Sequence, residues 1–408
     1  MIDARYLGRA LARRGASAWT IVERNQRIAT VDADLARTEQ RTRWELTVHV
    51  DTPTGRGTAH LRLDALGGSA DELADQALSL ANAGMGPAWT SPPPAAPARV
   101  DLDDAALRDP VAAAKATWPH QAGVFATVSA MRELVSVTTH AGFHYSWPAT
   151  LVRVDALVTS ATRSLAVTRT SRTLDGLGLA AAVEDAQKDL SLLAAARAPV
   201  AGPCTLVLHA DAMLHGGLGV WSVFVPQADA ATERQGLTRY REHAPIVEGA
   251  ETVAEPLTVE SDGALAFGVE SAPLGDEGEA VRRFALVQRG VAAGLALSPR
   301  EAALRGREPN GGVRNLVVAP GTWNGAVVGD RVVDVRRLRS LTIDRYTGEA
   351  ALEIGLALDA GVPITGGSIR IDLIAALARG RRSSQDLARG PYSGPAVAAL
   401  DGGLIQTP

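Results

Sequence analysis

Through much of the first half of the chain, apolar and polar residues alternate with a period of two, the spacing of a strand that buries one face. Strands are predicted over Ala18 to Glu23, Ile28 to Val31, Trp44 to Val50 and Gly57 to Leu63. Turn residues such as Pro53-Thr54-Gly55 separate them, so they read as an antiparallel meander. At Ser69 the period changes. The segment SADELADQALSLANA, Ser69 to Ala83, puts Leu73, Ala77 and Leu80 on one helical face, opens on a Ser cap and carries Glu72 at the capping-box position. Ser91 to Ala98, SPPPAAPA, is predicted as a stiff extended connector, because each Pro lacks a backbone donor and restricts the residue before it. A helix is expected at Asp104 to Thr117. Strands at Leu134 to Thr139, Leu151 to Val158 and Ser164 to Thr170 suggest a second layer of sheet. Leu177 to Ala196 follows as an amphipathic helix, with Leu179, Val183, Ala186, Leu190 and Leu193 at helical spacing.

Pro199, Gly202 and Pro203 then punctuate the chain, and a domain boundary is expected there. Residues 1–200 would form an N-terminal α+β domain, a mixed sheet with helices, and residues 201–408 a C-terminal α+β domain rich in antiparallel sheet. A length of 408 residues agrees with two domains, since single cores stop growing at about 250 to 300 residues. The second half begins with the apolar strand Thr205 to Leu208 and a short helix around Asp211 to Leu218. It continues with a hairpin of Val281 to Val287 and Val291 to Leu297, turning at Arg289-Gly290. Further strands are predicted at Val313 to Val318, Arg331 to Arg337, Leu341 to Ile343, Ala350 to Leu358 and Ser368 to Ile371. No internal repeat is visible, which argues against a solenoid or propeller.

Composition narrows the function classes. Apolar residues make up 46% and charged residues 21%, and no apolar run approaches the ~18 residues of a membrane span. The N-terminal segment has Arg in both halves and no continuous apolar stretch, unlike a secretory signal. The single cysteine, Cys204, excludes an internal disulfide framework and fits a reducing compartment, so a cytoplasmic location is expected. A net charge of −4 gives no general attraction to polyanions, which disfavours nucleic acid as a partner. Arg379, Arg381 and Arg382 form the one basic cluster and read as a solvated helix end.

Candidate chemistry is sparse. His140 and His144 stand four apart, but Gly142 and the flanking β-branched runs say hairpin, so they are expected as turn or strand histidines without a metal. His209 is expected as a hydrogen-bonded core histidine and Cys204 as a small buried hydrophobe. No G-x-S-x-G elbow is present. Gly216-Gly217-Leu218-Gly219 and Asn310-Gly311-Gly312 lack the P-loop Lys and the full dinucleotide fingerprint, and read as turns or tight backbone packing. Asp276-Glu277-Gly278 reads as a structural loop before the Arg282 strand.

One stretch carries more. From Pro273 to Gly321, the spacing of Asp276, Glu277, Gly278, Arg282, Arg283, Gly290, Gly294, Asn310, Gly311, Arg314 and Asn315 resembles the TldD/PmbA family. The resemblance is good across about Thr205 to Gly403 and weak before it. In that family the metalloprotease branch carries a helical HExxxH motif, in a context similar to Cys204 to Val220. Here His215 falls near the expected first ligand, but Gly216 stands where the Glu would be and Val220 where the second His would be. The resemblance implies a further Cys ligand before Asp344 to Gly355, and no cysteine lies there. The pattern resembles the TldE, or PmbA, branch. That implies a subunit with no catalytic or metal-binding residues of its own, paired with a TldD-like HExxxH-bearing partner that holds zinc. Together they would enclose a chamber for small or unfolded peptides, or peptide-like metabolites. Arg282, Asn310, Arg314 and Asn315 are the candidate substrate-lining residues, because Arg and Asn beside glycines can hydrogen-bond an extended backbone. Strand pairing and loop bracing are the structural alternative for the same four. The alternative functions are a homomeric ligand-binding or scaffold protein without catalysis, and an independent hydrolase with a site assembled from scattered Asp, His or Arg residues.

Overall fold

In the computed structural model, residues 4–33, 35–64, 69–160, 162–325 and 329–407 are described. The period-two segments of the first half join one sheet. Its strands are β1 (Ala18–Asp32), β2 (Leu35–Thr52), β3 (Gly55–Leu63), β4 (Met85–Gly86), β5 (Val124–Thr139), β6 (His144–Thr159) and β7 (Ser164–Ser171). Their order is β4-β3-β2-β1-β5-β6-β7. The expected second layer is therefore absent. The later strands extend the first sheet, because β5 takes the edge of β1 left open by the meander, in a register from Thr20↔Thr139 to Asp32↔Thr127. Every described pairing in this sheet is antiparallel, so it is not mixed as expected. Tight hairpins make four of the neighbours antiparallel, and no helix crosses over to bring a parallel strand.

Alternation sorts the two faces. Ile21 and Val31 of β1, Leu46 and Val48 of β2, and Val128 and Val154 of β5 and β6 lie on the face covered by α1 (Ala4–Arg13), α2 (Ala70–Ala83), α3 (Pro110–Thr117) and α4 (Leu179–Ala194). Val22, Val135, Val137 and Trp147 lie on the other face, against Leu102, which follows the proline connector, and Leu274 of the second half. Helix α2 has the expected capping box. Ser69 Oγ accepts from Glu72 N at 3.2 Å, and Glu72 Oε2 accepts from Ser69 N at 2.7 Å. Ser69→Ala is expected to cost about 1 kcal/mol of stability, measurable as a lower denaturation midpoint.

The second half comprises β8 (Gly202–His209), α5 (Ala210–Met213), α6 (Phe224–Gln227), α7 (Ala230–Arg234), β9 (Val259–Asp262), β10 (Arg283–Gln288), β11 (Val291–Ala292), α8 (Pro299–Leu304), β12 (Asn315–Val318), β13 (Val332–Ile343), β14 (Glu349–Asp359), β15 (Val362–Ile364), β16 (Ser368–Asp372), α9 (Leu373–Arg379), β17 (Arg381–Arg382), β18 (Asp386–Arg389), β19 (Tyr392–Pro395) and β20 (Val397–Gln406). One sheet runs β11-β10-β9-β12-β19-β18. The other runs β13-β8-β20-β16-β14-β15, and β13 also pairs with β14, which closes five strands on themselves and removes their edges. Among the described strand pairs of this half, β8–β13 and β12–β19 are parallel and the rest antiparallel. The predicted strands at 331–337 and 341–343 are one strand, and the second arm of the 281–297 hairpin keeps only two ladder residues, Val291 and Ala292. The helix expected to Leu218 stops at Met213, because Gly216, Gly217 and Gly219 all take positive φ. Trp221, Phe224 and Tyr392 stack at the centre of this half's core.

Ionic contacts tie the halves together. Asp189 of α4, almost fully buried, lies 2.6 Å from Arg336 and 2.7 Å from Arg337 of β13. Asp211 of α5 lies 2.8 Å from Arg169 of β7 and 2.5 Å from Arg337, and it accepts a hydrogen bond from Arg389 of β18. Arg172, just after β7, donates to the carbonyls of Gly268 and Val269 at 2.9 and 2.8 Å. The basic cluster at the end of α9 is not uniformly solvated. Arg379 is exposed, but Arg382 is buried and donates to the carbonyls of Glu255, Ala319 and Gly380, since a guanidinium has five donors for unpaired backbone acceptors. No described helix is long and apolar enough to cross a membrane.

Candidate functional site

The polar sides of β2 and β3 face the second half across a cleft. Because Leu46, Val48, Ala59 and Leu61 turn into the helix-covered core, Thr47, His49, Thr58 and His60 must turn the opposite way. The register makes two cross-strand Thr–His pairs of them. Thr47 Oγ1 lies 2.9 Å from His60 Nδ1, and Thr58 Oγ1 lies 3.0 Å from His49 Nδ1. His49 is buried, packs edge-on against Trp89 at 5.0 Å, and brings Nε2 to 3.3 Å from Glu277 Oε2.

Glu277 comes from the second half, in the turn Gly275–Glu279. Ala95 N and Ala98 N of the proline connector donate to Gly278 O and Pro273 O, and Thr20 Oγ1 donates to Glu277 O. The connector thus fixes the acidic turn against the first sheet. One lobe of the cleft, about 630 Å³, lies between β2–β3, the acidic turn and the loop Gly311–Arg314. A second lobe, about 660 Å³, is lined by the loop His215–Gly219, Ser222, Glu270 and Leu341. Both share Val225, Val313 and Arg314, so Arg314 stands where they adjoin.

The four candidate lining residues separate. Arg314 faces both lobes, with Nε donating to Gly311 O at 2.9 Å and Nη2 at 3.7 Å from Asp276 Oδ1. Asn310 is buried: its Nδ2 donates to Leu295 O at 2.8 Å and its Oδ1 accepts from Leu297 N at 2.9 Å and from Gly312 N at 3.3 Å. Asn315 is buried too, donating to Asp262 O and Ser271 Oγ and accepting from Glu270 N. These amides brace loops, and their polar atoms are spent on backbone groups and the Ser271 hydroxyl. Arg282 is half-exposed and pairs with Glu308 at 2.5 Å, lining neither lobe.

His215 reaches the second lobe, and burial lowers its pKa, keeping it neutral at pH 7. A neutral imidazole can ligate zinc, but a catalytic zinc needs three protein ligands. The other ionisable groups of that lobe are Glu270 and the cation Arg314. Among the described residues no three His, Cys, Asp or Glu side chains come together to hold a metal ion. The residues present do not fit a zinc site. His140 and His144 lie at the β5–β6 turn, with His144 Nδ1 2.9 Å from Thr138 Oγ1. His209, at the end of β8, is more exposed than expected and pairs with Asp334 at 2.5 Å. Cys204 is buried, and burial pushes its thiol up to about 11.

Sequence reasoning missed His49, His60, Thr47 and Thr58. Their signal is visible afterwards: histidines and threonines at alternate positions of two strands joined by a two-residue turn.

A family model described as the PmbA/TldA metallopeptidase C-terminal domain matches residues 220–368. No curated protein matches the chain. Among solved structures, TldE from Thermococcus kodakarensis is similar with a TM-score of 0.74 and 14% identity, over 99% of each chain. A protein from Bacteroides thetaiotaomicron described as a candidate modulator of DNA gyrase has a TM-score of 0.74 and 14% identity over 100% of each chain. Its counterpart from Thermotoga maritima has 0.72 and 14% over 98% of each. Residues 220–368 thus match the PmbA/TldA metallopeptidase C-terminal domain, in a chain whose whole-chain fold is that seen in TldE.

Proposed function

We propose that this chain is a TldE/PmbA-like subunit that binds no metal and completes the wall of a peptide-holding chamber beside a zinc-bearing, TldD-like partner. The observation that carries the reading is the His215–Gly219 loop. It follows β8 and α5 into the cleft wall, where the metalloprotease branch would continue an HExxxH helix, and its glycines leave His215 without a neighbouring base or second ligand. The cleft itself is retained, with Arg314 at the junction of two lobes that together could hold an extended peptide.

Peptide hydrolysis and zinc content, measured on the chain alone and after co-expression with its HExxxH-bearing paralogue, test the reading. Activity and zinc are expected only in the co-purified complex; zinc-dependent hydrolysis by the isolated chain would overturn it. Arg314→Ala is expected to lower hydrolysis by the complex about tenfold, the worth of one charge-assisted hydrogen bond, with zinc retained. Loss of zinc would instead make Arg314 a structural brace.

A further inference from the structure

The acidic turn holds an unbalanced charge. Leu274 bridges Ala280, Gly275 N donates to Glu279 O, and Gly278 N donates to Gly275 O. Of its three carboxylates, Glu277 has His49 and Asp276 has Arg314. Glu279 is 7% exposed, and among the described residues no Arg, Lys or His pairs with it; its Oε2 accepts from Glu277 N at 2.9 Å. Room has been left for this carboxyl, since a Cβ at position 275 would sit 1.9 Å from Glu279 Oε1. Glu279 lines the 630 Å³ lobe and also the narrow space under the proline connector.

The lobe as a whole leans the same way. Its lining includes five carboxylates (Glu45, Asp229, Asp276, Glu277, Glu279) and two guanidiniums (Arg62, Arg314), so 2 − 5 leaves a formal charge of −3 with His neutral. Burying a carboxylate without a counter-ion is costly, and the cost falls when a cation arrives. We infer that this lobe takes the cationic group of a ligand, an ammonium or guanidinium on a peptide, with Glu279 as its counter-ion. The inference rests on the peptide-cleft reading above and adds the substrate class.

Burial, with Glu277 and Asp276 acting in the same direction, pushes the Glu279 carboxyl up to about 7. A bound cation opposes that shift, so the complex carries fewer protons than the free protein. Affinity for a Lys or Arg side chain therefore rises with pH through about 7 and levels above it, whereas an α-amino group, which itself loses its proton at about pH 8, gains less at the upper end. The other ionisable groups around Glu279 are Asp276 and Glu277 on its own turn, His49 and His60 from β2 and β3, His140 from the β5–β6 turn, and Arg314 from the facing loop.

Three C-terminally labelled hexapeptides test this with the full-length chain by fluorescence anisotropy at pH 6 and 8. One is N-acetylated with a central Lys, one is N-acetylated with norleucine there, and one has norleucine and a free amino terminus. At pH 8 at least one cationic peptide is expected to bind about tenfold tighter than the neutral one, the scale of a close charge pair. The preference should shrink at pH 6 and vanish in Glu279→Gln. Calorimetry of the parent in two buffers should show up to about half a proton released at pH 7. Whichever cationic peptide is preferred assigns the group to a side chain or a terminus. Equal binding of all three, or an unchanged preference in Glu279→Gln, overturns the charge inference and leaves the peptide cleft standing. If none binds, the cleft reading fails and this inference with it.

Discussion

Asp211→Ala is expected to destabilise the protein by about 3–5 kcal/mol, the cost of leaving buried charge uncompensated. Three guanidiniums converge on this carboxylate from β7, β13 and β18, and Arg169 and Arg337 are themselves buried. Removing Asp211 leaves them facing one another with only Asp189 to balance Arg337. Asp211→Asn, which keeps shape and one acceptor but not the charge, should lose most of the same stability. The pH dependence follows from the carboxyl itself. Burial alone would raise its pKa, but Arg337, Arg169 and Arg389 together hold it below the usual value. A carboxylate depressed in the native state stabilises fully above its unfolded value, about 3.9, and loses that contribution as pH falls through the lower native value. Denaturation midpoints between pH 3 and 7 should therefore fall less steeply in Asp211→Ala than in the parent. A loss below about 1 kcal/mol at pH 7 would mean that water can satisfy the three arginines.

Gly219→Ala is the second large effect, at about 2–5 kcal/mol. A Cβ there would stand 1.8 Å from Met213 O and 2.6 Å from Leu214 Cα, both backbone atoms that cannot swing away, and φ is +53°. Left-handed strain and overpacking each contribute about 1–3 kcal/mol. Gly216 is the control. It also has positive φ, but nothing lies within 4 Å of its Cβ direction, so Gly216→Ala should cost about 1 kcal/mol. The two glycines are three residues apart in one cleft-lining loop. Equal costs in thermal or chemical unfolding would show that the loop shifts to accept either side chain.

Local order was legible because its causes are local. The meander shows in the period-two pattern, helix α2 in Ser69 and Glu72, and the turn at His140–His144 in Gly142. Pairings across about a hundred residues were not, since nothing in β1 or β5 alone names the other as partner. Asp189 could have been noticed: it lies with Ala186, Leu190 and Leu193 on the apolar face of α4, where a charge needs a counter-ion from elsewhere. Asn310 and Asn315 stand out in the sequence as amides in a glycine-containing loop, but whether such an amide meets a ligand or a carbonyl depends on the loops folded over it. The cleft's Thr–His pairs read as the solvent side of a hairpin until the acidic turn, more than two hundred residues later, closes over them.

The pairing of β1 with β5 sets a timetable for synthesis. At about 5–20 residues per second, a ribosome needs ~5–20 s to make the hundred-odd residues separating them. Until then the β1–β2 hairpin presents an unoccupied edge, a template for any passing strand. Glu23, Arg24, Gln26 and Arg27 cluster midway along β1, and in the finished sheet Gln26 and Arg27 stand opposite Glu133 and Arg132. In the nascent chain those polar and charged side chains make β1 a poor partner for another hydrophobic strand, so groups that hold Glu133 in the finished sheet also guard the edge while most of the protein is still unmade.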